Sequence, residues 1–366
     1  MTIGLLKELA HETRVSLLAE AVVSLTKKGI NILVERSAGE KSFCADTEYE
    51  KAGAQIKSAK EITAQSDIIL AIHPPALPIP NKKVLIGVYQ PLYNGDLMKE
   101  WAFGGITTFS LDMLPRTTRA QSMDVLSSQA NIAGYKAVLT AANMYSRYFP
   151  MLMTAAGSIK PAKVLILGAG VAGLQAIATA RRLGAVVEVF DTRPAVKEEV
   201  MSLGAKFIEV DGAADASKAG GYAVEQTEDY KQKQQQKITE SIAKADIVIT
   251  TAQIPGKKAP ILITEEMMKG MRSGSVIIDL AAATGGNTPF TQNSETVNYN
   301  GVAIIGSSSL QSTMPADASK MYGKNVLNFL QLITTKEGSL NLNWEDDLVK
   351  GSCITHDGQI VHERLK

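Results

Sequence analysis

Residues Lys163 to Asp191 read KVLILGAGVAGLQAIATARRLGAVVEVFD, and this stretch decides the fold. An apolar run breaks into Gly168-x-Gly170-x-x-Gly173, and a second run, Val186 to Phe190, ends in Asp191. Strand, glycine turn, helix, strand and acid in that order form the fingerprint of a dinucleotide site. Gly168 permits the tight turn, Gly170 lets backbone approach a pyrophosphate, and Gly173 lets the helix that starts at Val171 pack on its strand. The positive end of that helix dipole then faces the phosphates. Asp191 lies 18 residues past Gly173, close to the roughly 20 at which a carboxylate accepts from an adenosine ribose. A 2′-phosphate there would be repelled, so the reading is NAD(H); Arg193, two places on, is the residue that argues for NADP.

Working outward, the same α/β grammar repeats on both sides. Before the fingerprint, NILVE (31–35), SDIILAI (66–72), KVLIGVY (83–89) and ITTFSLDML (106–114) alternate with helical patterns, including one near Asp46. After it come ADIVITTA (245–252), SVIIDLA (275–281) and VAIIGSS (302–308). The expected architecture is α/β: two Rossmann-like, doubly wound parallel-sheet domains separated by a cleft and joined by long helices. One lobe is expected over 1–122 plus 312–366, the nucleotide-binding lobe over 123–311. A proline-free helical stretch from Met123 to Phe149 is stopped by Pro150, and a helix starting near Pro315 or Asp317 returns to the first lobe. Residues 211–237, rich in small residues and then in Gln, Lys and Glu, read as a mobile loop leading into a solvated helix, with Gly220, Gly221 and Tyr222 as hinges and anchor of a lid.

Composition narrows the class. At 366 residues the chain exceeds one ordinary core. A net charge of +1 gives no basic surplus for nucleic acid. Cys44 and Cys353 are too few for a disulfide framework or a cysteine metal site, and no His or carboxylate spacing suggests a metal. The N-terminus lacks the long apolar core of a signal peptide, and no apolar stretch reaches the ~18 residues of a membrane span.

Pro115 to Asp124, PRTTRAQSMD, gathers Arg116, Arg119, Gln121 and Asp124 after an apolar strand, where α/β folds put their sites. Arg116 and Asp124 could pair, Gln121 can donate and accept at a carboxamide or ribose, and Ser127 faces the same side as Asp124. A solvated loop is the competing reading. A dehydrogenase acting on an alcohol or amine needs a general base. Of four histidines, His356 and His362 fall in a polar C-terminal tail and His11 in a charged N-terminal helix. Only His73 ends a strand, where a structural role is the common one.

With these residues in place, the whole chain resembles the soluble NAD(H)-binding component of proton-translocating NAD(P) transhydrogenases, with alanine dehydrogenases as cousins. The resemblance rests on Lys7-Glu8 followed by Arg14, the Arg116, Gln121, Asp124 run, SMDVLSSQANIAGY, GAGVAGLQAIATARRLGA, GGYA, TTAQIPGKKAPILIT, DLAAATGGN and THDGQIVH. It implies that Arg116, Gln121 and Asp124 hold the nicotinamide end of NADH. Ser127, Val171, Gly221, Tyr222, Ala252 and Gln253 join the glycines and Asp191 in holding the cofactor, Tyr222 on a closing loop. Alanine dehydrogenases carry a substrate-binding lysine, a catalytic histidine and an aspartate at the positions of His73, Gln90 and Ala283. Arg14, which would grip a substrate carboxylate, survives as a relic.

Hydride transfer from NADH to NADP⁺ removes no substrate proton and needs no base, only orientation and exclusion of water. The resemblance therefore implies a Re/Si-specific, proton-translocating transhydrogenase in which NADP(H) sits on a partner subunit and a membrane-spanning subunit moves protons. A homodimer, cytoplasmic and peripheral to the inner membrane, goes with it. The alternatives are an alanine dehydrogenase-like amino-acid dehydrogenase and a non-catalytic NAD(H)-binding regulatory module.

Overall fold

Two large sheets organise the chain in the computed structural model, which describes residues 1–212 and 227–366. The chain divides into one unit of Met1–Gln129 with Ser312–Lys366 and another of Ala130–Gln311. The boundary falls seven residues later than the expected 122/123 because the first turn of the helix Val125–Met144 belongs to the first unit: Val125 is buried in its core beside Phe109 and Tyr322. That helix ends at Met144, short of Phe149.

In the first unit β1 (Thr2–Leu5), β2 (Asn31–Glu35), β3 (Gln55–Lys57), β4 (Ile68–Leu70), β5 (Val84–Gly87) and β6 (Thr107–Ser110) pair in parallel in the order β3-β2-β1-β4-β5-β6. Strand order reverses between β1 and β4, the switch point at which open α/β sheets place ligands. Two sequence expectations fail here. The N-terminus begins as strand β1, and His11 lies in a turn, not a helix. The segment taken for a polar tail supplies β16 (Cys353–His356) and β17 (Gln359–Ile360), which extend the sheet antiparallel beside β6. Cys353, Ile354 and Thr355 alternate short apolar and polar side chains, yet all three are buried.

Ahead of the second sheet, β7 (Leu152–Thr154) and β8 (Gly157–Ile159) form a separate two-stranded hairpin. It leaves Met151 62%, Met153 76% and Ile159 42% exposed. The sheet itself comprises β9 (Lys163–Leu167), β10 (Val186–Phe190), β11 (Lys206–Phe207), β12 (Ile247–Thr250), β13 (Val276–Asp279), β14 (Thr296–Tyr299) and β15 (Val302–Gly306), ordered β11-β10-β9-β12-β13-β15-β14. Only β14 runs antiparallel among these described strands. Here the switch point lies between β9 and β12.

The helix Glu228–Ile242 begins inside the range expected to be a loop. Thr227 caps it by accepting the Tyr230 N–H, and Tyr230, Ile238 and Ile242, spaced eight and four apart, bury one face in the core. The expected solvated helix is thus half-solvated. Gly220, Gly221 and Tyr222 lie outside the described residues.

Candidate functional site

The glycine turn follows β9 directly at the switch point of the second sheet. Gly168 has φ of +107°, a conformation that side chains rarely adopt, and a Cβ there would stand 2.3 Å from Thr251 Oγ1. A Cβ on Gly173 would meet the Gly168 carbonyl oxygen at 1.9 Å, so the helix Val171–Arg182 can lie this close only without a side chain. Gly170 is the opposite case: a Cβ there would meet nothing within 4 Å. Gly170 is also the N-cap residue, with Val171 part-exposed at the first helical position. Open space, exposed amide donors and a positive dipole end are what a pyrophosphate requires. The turn fits the phosphates of a dinucleotide.

Asp191 closes the adenosine end. It is buried, and its carboxylate accepts the Ala169 N–H at 2.7 Å, while Gly168 N donates to Phe190 O at 2.9 Å. The acid and the turn are therefore pinned together. Arg193, read as a pointer to NADP, instead donates to Asp191 through Nε at 2.9 Å and Nη2 at 2.8 Å.

The strand end beside the turn carries Ala252 and Gln253. Gln253 Nε2 donates to Leu280 O at 2.9 Å, and Ala252 N to Asn287 Oδ1 at 3.2 Å. Asn287 is fully buried and holds three strands of chain at once: its Nδ2 donates to Ala252 O at 2.9 Å and Pro260 O at 2.8 Å, and its N–H to Asp279 Oδ2 at 2.6 Å. Sequence reading missed Asn287 and Asp279, although both fall in the quoted DLAAATGGN run.

In the first unit, Gln121 is exposed within the 3₁₀ segment Thr118–Met123. That segment is tethered on either side of Gln121. Arg119 pairs with Asp346 at 2.5 Å and Asp347 at 3.1 Å, and Ser122 O accepts from Asn325 and Asn328, both at 2.8 Å. Arg119 is thus an anchor. Asp124 accepts the Ser127 N–H at 2.9 Å and its hydroxyl at 2.6 Å, so Ser127 does share its side, and Arg116 is exposed.

A buried polar cluster occupies the switch point of the first sheet. Arg14 donates to Glu12 through Nε and Nη2 and to Gln129 through Nη1, while Glu12 also accepts from Ser312 and contacts His73 Nε2 at 2.9 Å. Arginine, histidine and peptide donors hold the Glu12 carboxyl far below the ordinary carboxylate range despite its burial. Glu8 accepts the N–H groups of Ile72 and His73, yet burial pushes it up to about 7. Tyr322 places a fully buried hydroxyl without a hydrogen-bond partner among the described residues in the same neighbourhood.

The models of the alanine dehydrogenase/PNT N-terminal and C-terminal domains match residues 4–133 and 137–363. The chain is 45% identical to the first of the separately encoded portions of the NAD(P) transhydrogenase alpha subunit of Rhodospirillum rubrum, over 97% of this chain and 96% of that one. The chain belongs to the NAD(P) transhydrogenase alpha-subunit family. Its backbone matches a transhydrogenase from Sinorhizobium meliloti with a TM-score of 0.90 at 44% identity, covering 99% of this chain and 100% of that one. An L-alanine dehydrogenase follows at a TM-score of 0.81 and 25% identity, covering 100% and 98%.

The positions that separate this transhydrogenase family from alanine dehydrogenases do not form a substrate pocket here. His73 is tied to Glu12, Gln90 is exposed, and Ala283 offers only its backbone N–H, to Ser308 Oγ at 2.7 Å. Among the described residues, no helix is long and apolar enough to cross a membrane.

Proposed function

We propose that this chain is the NAD(H)-binding subunit of a proton-translocating transhydrogenase, passing hydride between NADH on its second unit and NADP⁺ on a partner subunit. The observation that carries the proposal is the open Gly170 turn joined to the buried Asp191 at a switch point. When bound, the nicotinamide supplies the hydride. The chain's own residues orient and shield it. The amides of Gly170 and Val171 receive the pyrophosphate, Asp191 the adenosine ribose, and the tethered Ala252–Gln253 strand end lines the dinucleotide path. Gln121, Arg116 and Asp124 position the nicotinamide, Ser127 fixing the Asp124 carboxylate. Gly221 and Tyr222 belong to this reading from sequence alone. No group here has to take a proton, which agrees with an Arg14 whose charge is already answered.

The Re/Si-specific transfer, a membrane-spanning proton-channel subunit, and a peripheral position on the cytoplasmic face of the inner membrane complete the proposal. A homodimer is supported by the β7–β8 hairpin, since an isolated two-stranded ribbon exposing Met151, Met153 and Ile159 is marginal without a covering surface. The test mixes the purified chain with a cognate NADP(H)-binding subunit and follows reduction of an NAD analogue by NADPH. Transfer that requires both proteins supports the reading. Oxidation of NADH with pyruvate and ammonium by the chain alone would overturn it.

A further inference from the structure

Asp191 has no acceptor site to spare. Its Oδ1 accepts the Arg193 N–H at 2.8 Å and Arg193 Nε at 2.9 Å, and its Oδ2 accepts Arg193 Nη2 at 2.8 Å and the Ala169 N–H at 2.7 Å. A carboxylate offers about four lone-pair sites, and these four donors fill them. The Asp191 side chain is 6% exposed and that of Arg193 19%, so bulk ions screen the pair weakly. Two of the donors are backbone groups fixed by the glycine turn and the strand end. The other two belong to a guanidinium fork, which presents paired donors as a vicinal diol does. A ribose can therefore be accepted only in exchange for Arg193.

For a 2′-phosphorylated coenzyme the outcome is the reverse of what proximity suggests. An arginine two residues from the ribose acid would ordinarily read as a phosphate ligand. Here its charge is cancelled, and a phosphate meets a neutral pair whose acidic member faces the turn. Building on the NAD(H) reading above, we propose that coenzyme choice is set by the Asp191–Arg193 pair. Asp191 excludes NADP(H) by its own charge and also by holding Arg193 away from the 2′-phosphate, while NADH enters by trading ribose hydroxyls for the guanidinium.

Calorimetric titration of the full chain with NADH and with NADPH tests this without any partner subunit. The unchanged chain binds NADH and takes NADPH far more weakly; absence of NADH binding would overturn the nucleotide-site reading itself, and this proposal with it. Asp191→Asn keeps the side-chain shape and releases Arg193, so NADPH affinity rises by about tenfold or more, the scale of a gained charge-assisted hydrogen bond. The gain shrinks as salt is raised, and adding Arg193→Gln abolishes it. Asp191→Ser, with a smaller side chain, repeats the test should Asp191→Asn fold poorly. With NADH binding intact in the unchanged chain, two results overturn the proposal: no rise in NADPH affinity in either folded variant, or a rise that survives Arg193→Gln.

Discussion

Arg14 and Glu12 form a two-point ion pair, Nε to Oε1 at 2.9 Å and Nη2 to Oε2 at 2.7 Å, with side chains only 5% and 3% exposed. Removing one partner of a buried pair strands the other charge, so Glu12→Ala should destabilise the chain by about 3 to 5 kcal/mol in denaturant unfolding. Because the folded carboxyl is held below its ordinary value, this stabilisation is complete above pH ~4.5 and is lost as pH falls further.

Glu8, a few residues away, has the opposite sign. Its carboxyl is raised from 4.5 to about 7, first by burial, so the folded chain keeps a proton that the unfolded chain releases. Stability should fall by up to about 3 kcal/mol as pH rises from about 4.5 to about 7, then level off. Unfolding midpoints measured between pH 5 and 8 should lose most of that slope in Glu8→Gln.

Gly170→Ala and Gly173→Ala separate ligand space from packing space. At Gly170 a methyl meets nothing within 4 Å, so the melting temperature should hold while NADH affinity drops, since the methyl points where phosphate must come. At Gly173 it would meet a backbone oxygen at 1.9 Å, and the variant should lose stability by more than about 2 kcal/mol. Equal melting temperatures for the two variants would contradict the close helix packing.

Asn287→Ala removes the amide that bridges Ala252 O and Pro260 O. Each buried carbonyl left without its donor costs about 1 to 3 kcal/mol. Thermal unfolding should report the loss, and NADH titration should report weaker binding, because the Ala252–Gln253 strand end loses its tether.

Gln121 is exposed between two anchors, Arg119 and Ser122. Gln121→Asn should leave NADH affinity within about twofold, yet slow transfer to the partner-bound nucleotide by tenfold or more. A parallel fall in both would place the residue in NADH binding alone.

The fingerprint was legible because its information is local: three glycines, one helix and an acid within 29 residues carry their own geometry. So were the long apolar strands. The polar cluster was not, because Arg14 meets Gln129 and Glu12 meets Ser312, positions 115 and 300 residues apart, and no period links them. Spacing alone puts Asp191 at the strand end, while its saturation by Arg193 depends on a side-chain conformation that spacing does not encode. The strand β16 was mistaken for tail because four residues ending in histidine carry too short an alternation to register.

The antiparallel seam between β6 and β16 also orders events during synthesis. Ala130–Gln311 is one uninterrupted stretch and can fold as soon as it emerges, whereas the first unit waits for residues beyond Ser312. Until Cys353–His356 leaves the ribosome, the nascent chain presents Thr107–Ser110 as an open strand edge, the kind of surface that chaperones shield and aggregates recruit.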